Sequence, residues 1–104
     1  MKYFLVLLSD VRGGVLDDSA ADSHEPFIDS LIARNAVLLG GGFETPVNGF
    51  SAAYVLAAKD IATATALAHE DPLVRDARAT CDVTEWRLVG INTAAIDPSQ
   101  TIPS

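Results

Sequence analysis

Apolar side chains fill nearly every position from Tyr3 to Leu8, between Lys2 and the polar pair Ser9-Asp10. Six residues are too few for a buried helix, and their aromatic and β-branched or leucine content reads as a strand over Lys2 to Ser9, apolar on both faces. The next apolar positions, Phe27, Ile28, Leu31 and Ile32, recur at helical spacing. Proline is tolerated where the amide has no helical partner, so Pro26 sets the expected helix start at Asp22 or Ser23, with Ser23 as N-cap. The helix is expected to stop at Arg34-Asn35, because asparagine accepts the left-handed C-terminal conformation.

Ala36 to Leu39 reads as a second strand, broken by Gly40, Gly41 and Gly42, and Thr45 to Gly49 as a hairpin or longer connection. Phe50 to Ala58 is the third strand. Asp60 can cap a second helix over Ile61 to Glu70, with Ile61, Ala64, Leu67 and Ala68 inward, ending at Asp71 before Pro72. Thr80 to Gly90 completes the set, and residues 91–104 read as an arm or disordered tail after a domain of residues 1–90. Strand, helix, strand, strand, helix, strand is the ferredoxin-like βαββαβ order: α+β, an antiparallel sheet with two helices on one face.

Two helices cover only one face of a sheet whose first and third strands are apolar on both. The expectation is therefore a homodimer packed sheet to sheet, the alternative being a tail that folds over the second face. A net charge of -7 disfavours nucleic acid and anionic membrane surfaces as partners, leaving small molecules. Acidic, glycine-rich sequence follows residues 3–8 at once and no small-residue cleavage site appears, so neither a signal peptide nor a membrane span is expected there. The single cysteine, Cys81, excludes an internal disulfide and fits a cytoplasmic setting; it reads as packing.

His24 precedes Leu31 by seven residues, which brings an ionisable ring within about 20° of the helix's apolar stripe. Topology places the end of the first strand, the start of the first helix, the glycine run and Asp71 at one sheet edge. Asp10 is the carboxylate expected to meet His24, fixing its tautomer and stabilising the charged ring. The bland alternative is a histidine satisfied by backbone. Asp71 either caps the turn that follows it or faces the pocket. Gly41 and Gly42 either let backbone amides approach a ligand or form a bulge, Phe43 shapes the same edge, and Arg12 can meet a ligand carboxylate or stay solvated. His69 lies on an exposed-looking run and has no metal-motif spacing to His24, so neither metal nor other cofactor is expected. Trp86 is expected to anchor the core or the dimer, the alternative being a ring that stacks on a substrate.

His24-x-x-Phe27-Ile28-x-x-Leu31, Gly41-Gly42, Asp71-Pro72-Leu73-Val74 and Trp86, in this order after an acidic residue at Asp10, resemble the YCII-related family over about residues 1–90. The resemblance implies a dimeric α+β barrel with a His/Asp acid–base site, shaped like the muconolactone isomerases; some relatives are dehydrochlorinases of hydroxyaromatic compounds. Two positions depart from it. Ala21 stands where an arginine is frequent, and Phe43 where the glycines are usually followed by proline. The expected function is proton transfer by His24 and Asp10 on a small cyclic or hydroxyaromatic compound. The alternatives are a ligand-binding or sensory module on the same scaffold and an interaction subunit without a pocket.

Overall fold

The computed structural model describes residues 1–13, 17–97 and 99. Its strands are β1 (Lys2–Asp10), β2 (Val37–Val47), β3 (Phe50–Ala58) and β4 (Ala79–Glu85), and its helices are α1 (Asp18–Ala33), α2 (Ile61–Ala68) and α3 (Pro72–Arg75). A 3-10 turn, Thr93–Ala95, follows. The sheet order is β2-β3-β1-β4 with every neighbouring pair antiparallel, which is the ferredoxin-like arrangement. Residues 14–16 and, within the expected tail, positions 98 and 100–104 lie outside the described residues.

Strand alternation sorts the core. Phe4, Val6 and Leu8 stand opposite Leu56, Tyr54 and Ala52, and all six are buried in one cluster with Leu31, Ala64 and Ala68 of the helices. The small residues of α2 let it lie close on the strands. Tyr3, Leu5 and Leu7 point to the other face, opposite Ala57, Val55 and Ala53, and are only half-buried. None of the described helices covers that side.

Several elements depart from the pattern-based expectation. α1 starts at Asp18, not near Ser23, because the Asp17 carboxylate accepts the Ala20 amide at 2.8 Å and caps the helix ahead of Pro26. Pro26 then sits inside the helix and leaves the Asp22 carbonyl without its helical donor. Ile32, expected inward, is 48 % exposed, and Ile61 is 49 % exposed. The helix end matches: Asn35 has φ 58, its amide bonds to the Ile32 carbonyl, and the Ala36 amide bonds to that of Leu31.

The three glycines do not end β2. Gly40, Gly41 and Gly42 pair with Tyr54, Ala53 and Ala52, and the strand runs on to Val47. The reversal comes at Asn48-Gly49, both with positive φ, the pairing that a two-residue hairpin between Val47 and Phe50 needs. At the other end, β4 stops at Glu85 rather than Gly90. Trp86 keeps one sheet bond, its amide donating to the Tyr3 carbonyl at 2.8 Å.

Candidate active site

Asp71 ends the loop after α2 and begins α3, and it uses both carboxylate oxygens. Oδ1 accepts the Leu73 amide at 3.0 Å, the capping bond expected of an aspartate before proline. Oδ2 lies 2.6 Å from Nδ1 of His24, on the first half of α1. The capping reading of Asp71 is realised, and its second oxygen turns to His24. An ionised carboxylate only accepts, so Nδ1–H donates to Oδ2, which in a neutral ring leaves the lone pair on Nε2. The Asp71 side chain is fully buried while that of His24 is 16 % exposed, so the ring is the outer member of the pair.

Asp10 does not make this contact. Its Oδ1 accepts the Arg12 amide at 2.8 Å, and its carbonyl accepts the Gly13 amide, which closes the turn after β1. A side-chain oxygen two residues before an amide reaches it with little loss of chain freedom, and that local bond takes the carboxylate. Arg12 is exposed, and its charge, with that of Arg78, helps hold the Asp17 carboxyl below its usual range, after the larger effect of the Ala20 amide. Arg78 donates to both Asp17 oxygens at 3.3 Å.

The His24 ring packs against two aromatic rings, Phe27 at 6.4 Å and Tyr54 at 6.3 Å between centroids. Tyr54 was not among the residues singled out from sequence. It projects from the helix-covered face of β3, is 2 % exposed, and its hydroxyl has no hydrogen-bond partner. An orphaned buried hydroxyl costs about 1–3 kcal/mol, so a phenylalanine would suit a purely structural role better. Burial first, then the negative charge of Asp71, pushes the phenol far above its normal pKa, keeping it protonated. Burial, Asp71 and Asp82 likewise raise the Cys81 thiol, so it is not poised as a thiolate.

Gly40 is the glycine that serves this site. A Cβ there would stand 2.7 Å from the Tyr54 Cβ and 3.2 Å from the Ala53 carbonyl, so only glycine lets Tyr54 take its place in the core. The clash follows from strand register, which a single-strand reading does not contain.

Gly41, Gly42 and Phe43 border a different feature. With Leu5, Leu39, Val55 and Trp86 they line a depression of about 240 Å³ on the sheet side that no helix covers. The strand continues past the glycines, and the depression lies on the open face of the sheet, whereas His24 packs against Tyr54 on the helix-covered face. His69 is exposed, and no group of three or more His, Cys, Asp or Glu residues able to hold a metal occurs among the described residues. Nor is any described helix long and apolar enough to cross a membrane.

The fold has a solved counterpart in 5-chloro-2-hydroxyhydroquinone dehydrochlorinase (TftG) of Burkholderia phenoliruptrix AC1100, in complex with 2,5-dihydroxybenzoquinone. The TM-score is 0.58 at 15 % identity, over 82 % of this chain and 93 % of that one. No family profile and no curated protein matches the sequence. The likeness is one of architecture: a four-stranded antiparallel sheet carrying its helices on one side.

Proposed function

We propose that the chain is an enzyme that uses His24 and Asp71 to move a proton on a small cyclic or hydroxyaromatic compound, by isomerisation, elimination or loss of a leaving group. One observation carries the reading: an imidazole whose side chain is 16 % exposed, backed by a fully buried carboxylate 2.6 Å from Nδ1. Nε2 would take a proton from a ring hydroxyl or an acidic C–H, and the imidazolium so formed would be stabilised by Asp71. The Leu73 amide holds Asp71 in place, so the pair does not have to reorganise as the charge develops. The structural neighbour acts on a chlorinated hydroxyhydroquinone, which supplies the first compound to try. The resemblance to the YCII-related family belongs to the same reading, with Asp71 in the place expected of Asp10.

A second copy of the chain on the open sheet face is part of this proposal. Leu39 is 56 % and Trp86 46 % exposed there, around Val55 at 4 %. Apolar side chains grouped on one face in this way favour burial against a partner, and a self-complementary sheet face is the simplest one.

The test is chloride release from 5-chloro-2-hydroxyhydroquinone and other halogenated hydroxyaromatics by wild type, His24→Ala and Asp71→Asn. Turnover by wild type that falls at least about a hundredfold in His24→Ala is expected of a general base. Equal rates in wild type and His24→Ala would discard the proton-transfer role, and binding without turnover would favour a ligand-binding module.

A further inference from the structure

We infer that the Tyr54 hydroxyl is the hydrogen-bond donor for an oxygen on the ring of the compound that His24 acts on, an assignment that rests on the His24–Asp71 reading. Three observations converge on Tyr54. Its hydroxyl is buried without a partner, its ring packs on His24 at 6.3 Å, and β2 gives up a side chain at Gly40 to seat it. A core position with no polar duty does not need that hydroxyl, and here it stands beside the pair that handles protons.

The chemistry suits an oxygen that gains negative charge. When His24 draws a proton from a ring hydroxyl or an adjacent carbon, electron density moves onto a ring oxygen as phenolate or enolate. A neutral donor in a water-poor setting stabilises that charge well, because no competing solvent has to be reorganised. Tyr54 stays a donor, since burial and the charge of Asp71 keep the phenol protonated. Cys81, on the same sheet face, offers only a weak S–H donor.

Access comes through α1. The hydroxyl lies below the surface, and His24 and Phe27, whose rings are 6.4 Å apart, flank Pro26. Because Pro26 brings no amide, the Asp22 carbonyl lacks its helical bond, and the helix is short of one hydrogen bond at the turn bearing both rings. A planar ring entering beside His24 displaces that turn and meets the hydroxyl.

The experiment is calorimetric titration of 2,5-dihydroxybenzoquinone into the full chain, as wild type, Tyr54→Phe and His24→Ala, with thermal melting of each and chloride release measured in parallel. Tyr54→Phe is expected to bind about fivefold or more weakly, the scale of one hydrogen bond, while melting at or above the wild-type temperature. Equal affinity in Tyr54→Phe overturns the hydroxyl's role and leaves the His24–Asp71 reading standing. A lower melting temperature in Tyr54→Phe also overturns it, for the hydroxyl would then be serving the fold. Unchanged chloride release in His24→Ala, with Tyr54→Phe impaired, marks the proton-transfer reading as the one that failed. No binding of the quinone by wild type overturns both.

Discussion

Asp71 and His24 stand 47 positions apart in the chain and 2.6 Å apart in the fold, joined from Oδ2 to Nδ1. The other Asp71 oxygen caps α3 through the Leu73 amide, so one buried carboxylate ties the loop after α2 to the middle of α1. Asp71→Ala removes both bonds at once, and a stability loss of about 3 kcal/mol is expected in denaturant unfolding. Asp71→Asn tests orientation more finely. The amide cannot reproduce a carboxylate at Nδ1, so the imidazole is expected to move toward the Nε2–H tautomer, read from its ring ¹⁵N shifts. With two histidines in the chain, His24→Ala assigns the signals. An unchanged tautomer in Asp71→Asn would mean that the contact does not orient the ring.

The glycine run separates into positions with different duties. Gly40→Ala must push its Cβ into the Tyr54 Cβ and the Ala53 carbonyl, and backbone and core have little room to yield. A loss of about 1–3 kcal/mol is expected, together with a changed near-ultraviolet aromatic signal. Gly42→Ala meets nothing closer than 3.9 Å and is expected to leave stability within about 0.5 kcal/mol. Equal effects at the two positions would contradict the close approach at Gly40.

The contrast between Asp10 and Asp71 shows where sequence patterns carry this protein and where they stop. Element order, the Asn35 helix end and the Asn48-Gly49 reversal follow from local chemistry, and all three are legible from neighbouring residues. His24 stood out for the same reason, an ionisable group on an apolar stripe. Its carboxylate could not be chosen that way, because Asp10 and Asp71 both reach the same edge by topology. What decided the matter was a two-residue hydrogen bond that occupies Asp10 and a cap that aims Asp71. Tyr54 was hidden among the apolar residues of β3, where alternation marks it as core and says nothing of its hydroxyl. The glycine run misled because glycine weakens strands on average, whereas here register against Tyr54 makes it necessary.

Ala77 closes α3 in the left-handed region, with φ 57, and lets the Arg78 amide reach the Leu73 carbonyl at 2.8 Å. A Cβ in that region costs about 1 kcal/mol that glycine does not incur. Ala77→Gly is therefore expected to raise stability by somewhat less than that figure, because glycine also gains freedom in the unfolded chain, and to raise the unfolding midpoint accordingly. A drop in stability would show that the alanine methyl contributes packing at this turn.

Tyr54 gives the fold an alkaline limit. Its folded phenol pKa lies above the unfolded value of about 10, so above that pH the unfolded chain releases a proton that the folded chain retains. The associated stability is fully present below pH 10 or so, and it is lost progressively as the pH rises from there toward the folded value. Melting temperatures of wild type should fall more steeply between about pH 9 and 11 than those of Tyr54→Phe, which has no such proton to release. Parallel curves would indicate that the phenol ionises freely in the folded chain.

The open sheet face makes the last prediction, because its composition conflicts with exposure to water. Leu5, Leu7 and Val55 alternate with the buried core residues, and Leu39 and Trp86 rise beside them around the 240 Å³ depression. If a second copy covers this face, the solution mass is twice 11.0 kDa, and Leu39→Glu, which puts a charge at a residue 56 % exposed in the single chain, yields monomers. Light scattering after size-exclusion chromatography reads the mass, and circular dichroism checks that the variant keeps its fold. The charge costs little in an isolated chain, since the position already faces water, but burying it without a partner in a dimer costs several kcal/mol. A wild type that runs as a monomer at micromolar concentration would remove the second copy from the proposal, and the exposed leucines would then need another cover.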